Sequence, residues 1–463
     1  MKINPKVIHQ TLCSIYSFTC ALPPYSILES FSLAKVFAAL FGLSFFYCVL
    51  RGKISLIPLG FQSPISTVFV LISGYYFSCV FFGLVADPGG VNIKTIPYYF
   101  NMTMALNLII FYVLICTFFN DFIAFKASVL SLFFGLLFAG AVYGGIGFWY
   151  FDLLEKAYHE GLPFITIYGD DTDDKFFQIQ ISSDGRLQLS SYNEAQFGIA
   201  LVLAAIFSIH MLIKQGYCAT HIQTTAAFAV FLLIILFAIT TTGTRTAFFC
   251  LILLSLVCIL HAWVFRLSNR QWISAILLLT LITTSALVWA STPMSSRLAS
   301  TLSGLLCGDN TSNRFACWLN EAAQRKNSLF ASQNTSGGRY EIWESAIASS
   351  ESIFVPGGFW ATVMKSLNDD GVTTFRSNSS HNIFIDTLLW NGITGFILLT
   401  ATAVILVNAT LKYTKKAETP IALMLLILLA VTSVSLPIFP VKIFWLESSM
   451  LLYLIFYYHH KTV

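Results

Sequence analysis

Three stretches carry the residue types best suited to chemistry. Arg245 stands in ITTTGTRTAFFC (residues 239–250), between two apolar runs in a nearly uncharged part of the chain. Arg339 stands in SGGRYEIW (336–343), behind two glycines that free the backbone. His381 and Asn382 open SSHNIFIDTLLWNGITG (379–395), with Asp386 inside the apolar run that follows. A guanidinium keeps its proton and makes forked, charge-assisted hydrogen bonds to phosphate oxygens, so arginines at a membrane face suit a pyrophosphate. The residues around His381 allow two readings. It is an interfacial imidazole that caps a helix and touches headgroups, or a working group, because an unpaired ionisable side chain just within a membrane is costly.

The elements that must hold these residues are membrane helices. The 463 residues are 56% hydrophobic and 10% charged, with a mean hydropathy of +0.75, against about 25% charged residues in a soluble domain. Runs long enough for a helix of about 20 residues to cross the hydrocarbon recur along the chain. They fall near residues 8–28, 31–50, 63–86, 101–119, 127–149, 195–213, 224–242, 246–265, 271–290, 383–411, 420–438 and 443–459. The expected fold class is therefore an all-α polytopic membrane protein of twelve spans. Pro23 and Pro24 break or shorten the first span, which is too long and too poorly flanked for a cleaved signal peptide.

Lys and Arg orient the bundle. With the N-terminus cytoplasmic, twelve fall on the inner side (Lys2, Lys6, Arg51, Lys53, Lys126, Lys214, Arg266, Arg270, Lys412, Lys415, Lys416 and Lys461). Only Lys35, Lys94, Arg245 and Lys442 fall in the short outer connections. That asymmetry places both termini in the cytoplasm, and the net charge of +4 requires no nucleic-acid partner. The chain then divides into spans one to five (1–149), an outer loop (150–194), spans six to nine (195–290), a large outer loop (291–382) and the last three spans (383–463).

Polar sequence is concentrated in the two outer loops. FFQIQIS and GRLQLSS alternate apolar and polar residues about Asp184-Gly185, the pattern of a hairpin lying on the membrane face. Asp170, Asp171, Asp173 and Asp174 read as a solvated acidic turn; they lack the ligand ladder of a calcium loop, although carboxylates are hard-cation ligands. RYEIWESAIASS reads as a helix with Ile342, Ala346 and Ile347 on one face. Of ten cysteines only Cys307 and Cys317 lie in an outer loop, where an oxidising exterior favours a local disulfide over two free thiols. Of eight histidines only His159 and His381 are outward, and His159 sits among charges as a surface residue. Outer arginines also include Arg186, Arg297, Arg314, Arg325 and Arg376; Arg314 and Arg325 read as headgroup or loop contacts.

TGTRTA, GGRYEIW and the HN followed by G-x-x-G, in that order and on one side of the membrane, resemble the O-antigen ligase and O-antigen polymerase superfamily. SYNEAQFGIAL after Arg186 is similar to the Asn-containing opening of a middle span in the same family. The resemblance implies a GT-C-like glycosyltransferase of a bacterial inner membrane, with its active site at the periplasmic face. It would take a glycan from undecaprenyl pyrophosphate without nucleotide sugar, cofactor or metal. Arg245, Arg339 and His381 would form the catalytic set, the arginines on the pyrophosphate and His381 as base on the acceptor hydroxyl or as its orienting group. Arg186, Asn382, Arg376 and Arg297 would bind substrate. An imidazole with an unperturbed pKa of about 6.5 can take that proton near neutral pH, and fixed Arg charges stabilise a pyrophosphate leaving group. Transfer in one displacement would invert the anomeric centre.

Donor and acceptor would both be glycans, the acceptor a lipid-linked repeat unit for a polymerase or the lipid A core for a ligase, with membrane lipid and a chain-length regulator as further candidate partners. Two sizeable outer loops, each with Arg, favour the polymerase. A ligase is the alternative, and a polysaccharide flippase or transporter is the reading from another class. The chain lacks the two similar halves of many transporters. The sequence departs from the ligase pattern in having one outer His near the motif and Asp386 where a Glu often stands.

Overall fold

A computed structural model of the chain describes residues 4–22, 26–28, 31–56, 64–86, 96–150, 165–168, 179–181, 187–189, 194–215, 222–242, 244–264, 363–367, 373–377, 382–414, 420–435 and 442–461, with residues 153, 156 and 356. Among the described residues the chain is helical: α1 (Pro5–Ala21), α2 (Leu33–Leu50), α3 (Pro64–Ala86), α4 (Ile96–Asn120), α5 (Phe122–Trp149), α6 (Glu194–Gln215), α7 (Ile222–Thr242), α8 (Arg245–Val264), α9 (Ile383–Thr414), α10 (Ile421–Ser435) and α11 (Lys442–Lys461). Each coincides with an expected apolar run; the run at 271–290 and the helix expected at 339–350 lie outside the described residues. Among the described residues three helices, α2, α5 and α9, are long and apolar enough to cross a membrane.

Local chemistry sets the boundaries. Asn4 caps α1 by accepting from the Lys6 amide at 3.0 Å, with Pro5 at the first helical position, where its missing N–H costs nothing. The helix stops at Ala21, ahead of Pro23-Pro24. Apolar side chains remain exposed along α2 (Leu40, Leu43, Phe46, Leu50) and α5 (Phe134, Phe138, Phe148, Trp149), as lipid-facing surfaces require.

The N-terminal helices interlock through buried polar groups. Asp121 caps α5 through Oδ1, which accepts from the Ile123 amide at 3.0 Å, while its Oδ2 accepts from Gln10 at 2.6 Å and lies 3.3 Å from the Lys6 ammonium. One turn along α1, the His9 ring is bonded to Ser44 of α2 at 2.8 Å and Thr117 of α4 at 3.0 Å, and it stacks on Phe41. Replacing Asp121 by Ala removes a cap, an ion pair and an acceptor for Gln10 together. The expected cost is about 3 kcal/mol, read as a lower midpoint of thermal unfolding in detergent. An unchanged midpoint would show that Asp121 does not hold α1 to α5.

Three small antiparallel sheets accompany the bundle: β1 (Ser26–Leu28) with β2 (Phe31–Ser32), β3 (Ile165–Tyr168) with β4 (Ile179–Ile181) and β5 (Leu187–Leu189), and β6 (Val363–Leu367) with β7 (Thr373–Ser377). The expected hairpin about Asp184-Gly185 is β4–β5, in register Ile181 to Leu187, and β3 adds a third strand. Ile179, Ile181 and Leu187 are buried, so the apolar side of this sheet lies against the helices. The β6–β7 hairpin is an addition to the sequence expectation, although NDDG between alternating stretches is a hairpin signal.

Candidate active site

The turn that presents Arg245 is built by its own threonines. Thr242 donates to the Ile239 carbonyl at 2.7 Å and accepts from the Thr244 amide at 3.3 Å. The Thr244 carbonyl accepts the Phe248 amide at 3.3 Å, so α8 begins at once with Arg245 in its first turn. Both threonines are buried. Their seat is Gly198 of α6, where an added Cβ would lie 2.8 Å from Thr244 Oγ1, 2.9 Å from Thr244 Cβ and 3.0 Å from Thr242 Oγ1. The glycine of SYNEAQFGIAL is thus the slot that lets the Thr242–Thr244 turn press against α6. Tyr143 of α5 packs on Phe197, with ring centroids 4.9 Å apart, and donates its hydroxyl to the Leu187 carbonyl, pinning β5, which begins one residue after Arg186, to this end of the bundle.

The HN motif opens a broken helix. Asn382 Oδ1 accepts from the Phe384 amide at 2.9 Å and the Asn382 carbonyl from the Asp386 amide at 2.9 Å, so Asn382 is the cap of α9. Asp386 and Thr387 are buried behind it. At Gly392 the backbone leaves the helix (φ 59°, ψ −153°), a conformation other residues rarely adopt. Gly395 is required by the same distortion, since a Cβ there would fall 2.1 Å from Asn391 Cβ. Thr394 donates to the Asn391 carbonyl at 2.8 Å. The G-x-x-G of the motif is therefore a glycine-made break with a short segment, Ile383–Asn391, on its N-terminal side.

Contacts near the C-terminal end of α8 join it to α9 and α10. His261 of α8 is hydrogen-bonded to the Thr414 backbone of α9, and Cys258 of α8 meets Met424 of α10 at 3.7 Å. The C-terminal ends of α8 and α9 therefore meet. From that shared level Arg245 lies about 24 Å up α8 and Asn382 would lie about 48 Å up a straight α9, at 1.5 Å per residue. The break at Gly392 interrupts α9 within that length, so it is not one straight helix. The heads of α6 and α8 meet through Gly198 and Thr244, and helix N-termini carry partial positive charge that favours anions.

Of the residues singled out in the sequence, Arg186, Arg297, Arg339, His381, Cys307 and Cys317 lie outside the described residues, as do the aspartates at 170–174. Arg245 is described as the first residue of α8 and Arg376 as a residue of β7 paired with Met364. Sequence reasoning passed over Gly198, Tyr75 and the buried Glu447. A Glu inside an apolar run is a legible signal, whereas a glycine or tyrosine among aromatic helices gives none.

A polar cluster at one end of an apolar helical bundle, with apolar side chains exposed around it, defines a polytopic helical membrane protein. Within it, residues 228–400 match the family model described as O-antigen ligase, a match that supports the O-antigen ligase and polymerase superfamily. The match runs from α7 into α9, so it contains Arg245, Arg339, His381 and the break at Gly392. No curated protein sequence matches the chain.

Proposed function

We propose that this protein is a twelve-span inner-membrane glycosyltransferase that moves a glycan from undecaprenyl pyrophosphate to a sugar hydroxyl at the periplasmic face, acting as a surface-polysaccharide repeat-unit polymerase. The observation that supports the reading is the seating of the Thr242–Thr244 pair, which precedes Arg245, on Gly198 of SYNEAQFG, with the family match running from α7 into α9. Arg245 and Arg339 hold the pyrophosphate, and His381 takes the proton of the attacking hydroxyl. The bond from the acceptor oxygen to the anomeric carbon forms as the bond from that carbon to the pyrophosphate breaks, and the lipid pyrophosphate departs with the electron pair. Guanidinium charge and the positive heads of α8 and α9 stabilise that departing anion. Attack from the face opposite the pyrophosphate inverts the anomeric centre.

Attachment of finished polymer to the lipid A core is a second reading, favoured by the description of the matching family as a ligase. Deleting the gene and separating the surface polysaccharide on a gel distinguishes the two. Core bearing a single repeat is expected for the polymerase; unattached lipid-linked polymer would assign the ligase. A normal ladder of attached chains would overturn both.

A further inference from the structure

The N-terminal segment of α9 is cut off from helical continuity by Gly392, yet on the proposed function it must hold His381 against an acceptor hydroxyl. Something outside α9 has to fix it. Tyr75, at the middle of α3, lies beside it: its hydroxyl is 2.9 Å from Thr387 Oγ1, and its carbonyl accepts from Asn391 Nδ2 at 3.4 Å. Thr387 and Asn391 are fully buried and Tyr75 nearly so. The two bonds grip the N-terminal segment at both ends of one helical turn, one at Thr387 and one at Asn391 beside the break. Beyond the break the apolar side chain of Leu398 lies beside Gly74 of α3. A Phe and a Val would fill the same volume as Tyr75 and Thr387 and pack without a polar group in the apolar layer. Hydrogen bonds between membrane helices contribute little to net stability, because alternative partners are available in the unfolded reference. What the pair adds is direction: two hydroxyls in contact fix the rotation of a nine-residue segment about its own axis, which apolar packing leaves loose.

We infer that Tyr75 is a positioning residue for His381, acting through Thr387 on the N-terminal segment of α9. The inference rests on the proposed role of His381. It also gives α3, which lies outside the matched family region, a part in the reaction.

The test uses the full-length protein in vesicles with a lipid-linked glycan donor, and compares Tyr75→Phe, Thr387→Val, their double variant, Thr387→Ser and His381→Ala. Misplacement of a reacting group by about 1 Å can cost about a hundredfold in rate, so Tyr75→Phe and Thr387→Val should each lower kcat about ten- to hundredfold. The donor KM should stay near the wild-type value, since the pyrophosphate is held by the arginines. The double variant should be no worse than the poorer single, and Thr387→Ser, which keeps the hydroxyl, should retain most of the activity. Wild-type kcat in Tyr75→Phe beside an inactive His381→Ala would overturn the inference and leave the role of His381 standing. A Thr387→Ser as defective as Thr387→Val would reduce the contact to packing and overturn it as well. A fully active His381→Ala would remove both. If Tyr75→Phe fails to accumulate, the comparison of Thr387→Val with Thr387→Ser decides alone.

Discussion

Replacing His381 by Ala is expected to cut glycan transfer by about two to four orders of magnitude, the range that a positioned general base contributes. The expectation follows from the bond that must form. A sugar hydroxyl is a poor nucleophile until its proton leaves, and an imidazole next to the head of α9 offers an acceptor whose ordinary pKa lies near neutrality. The substitution should not prevent insertion or folding. The cap of α9 is supplied by Asn382, whose side chain and carbonyl bond the Phe384 and Asp386 amides without help from residue 381. The check is transfer of labelled glycan by purified protein, with an unfolding midpoint measured beside it. A variant that folds normally and transfers at the wild-type rate would exclude His381 as base and leave only the interfacial, cap-adjacent reading of that imidazole.

Replacing Arg245 by Lys is expected to cost about a hundred- to thousandfold in kcat, the loss typical when one fixed donor to a developing anion is removed. Charge is conserved in this substitution, so the effect isolates geometry. A guanidinium presents a planar fork to two phosphate oxygens, whereas an ammonium is a point charge on a flexible stem. The backbone around residue 245 is held tightly: Thr242 and Thr244 are buried, hydrogen-bonded to one another and wedged against Gly198 of α6. The readout is the steady-state rate at saturating donor. Full activity in Arg245→Lys would mean that Arg245 supplies field only, or contacts no phosphate.

Much of this molecule is legible in its residues alone. Lipid offers backbone groups no partners, so an apolar run of sufficient length must be a helix, and eleven of the expected runs coincide with helices among the described residues. Alternating apolar and polar segments on either side of Asp184-Gly185 signalled a hairpin, and β4 and β5 pair there, because strand side chains alternate between two faces. Length and apolar content are summed over many residues, so errors at single positions average out.

The reasons behind the motifs were not legible. In sequence, the G-x-x-G of WNGITG and the glycine of SYNEAQFG are small residues with no stated purpose. Gly392 is needed for a positive φ, Gly395 because the Asn391 side chain swings over it, and Gly198 because Thr244 presses into the space a Cβ would take. Each depends on what comes within about 3 Å of one atom from a distant part of the chain, and no periodicity encodes that.

By itself the sequence determined that this chain is a polytopic helical membrane protein carrying an arginine-and-histidine motif set, since composition, hydropathy and residue order are local properties. The tertiary structure decided that the Thr242–Thr244 pair before Arg245 seats on Gly198 of α6, that α9 breaks at Gly392, and that Tyr75 grips the segment before the break. Those outcomes turn on contacts between residues as many as 316 positions apart in sequence, and they exist only once close packing has chosen which helices are neighbours.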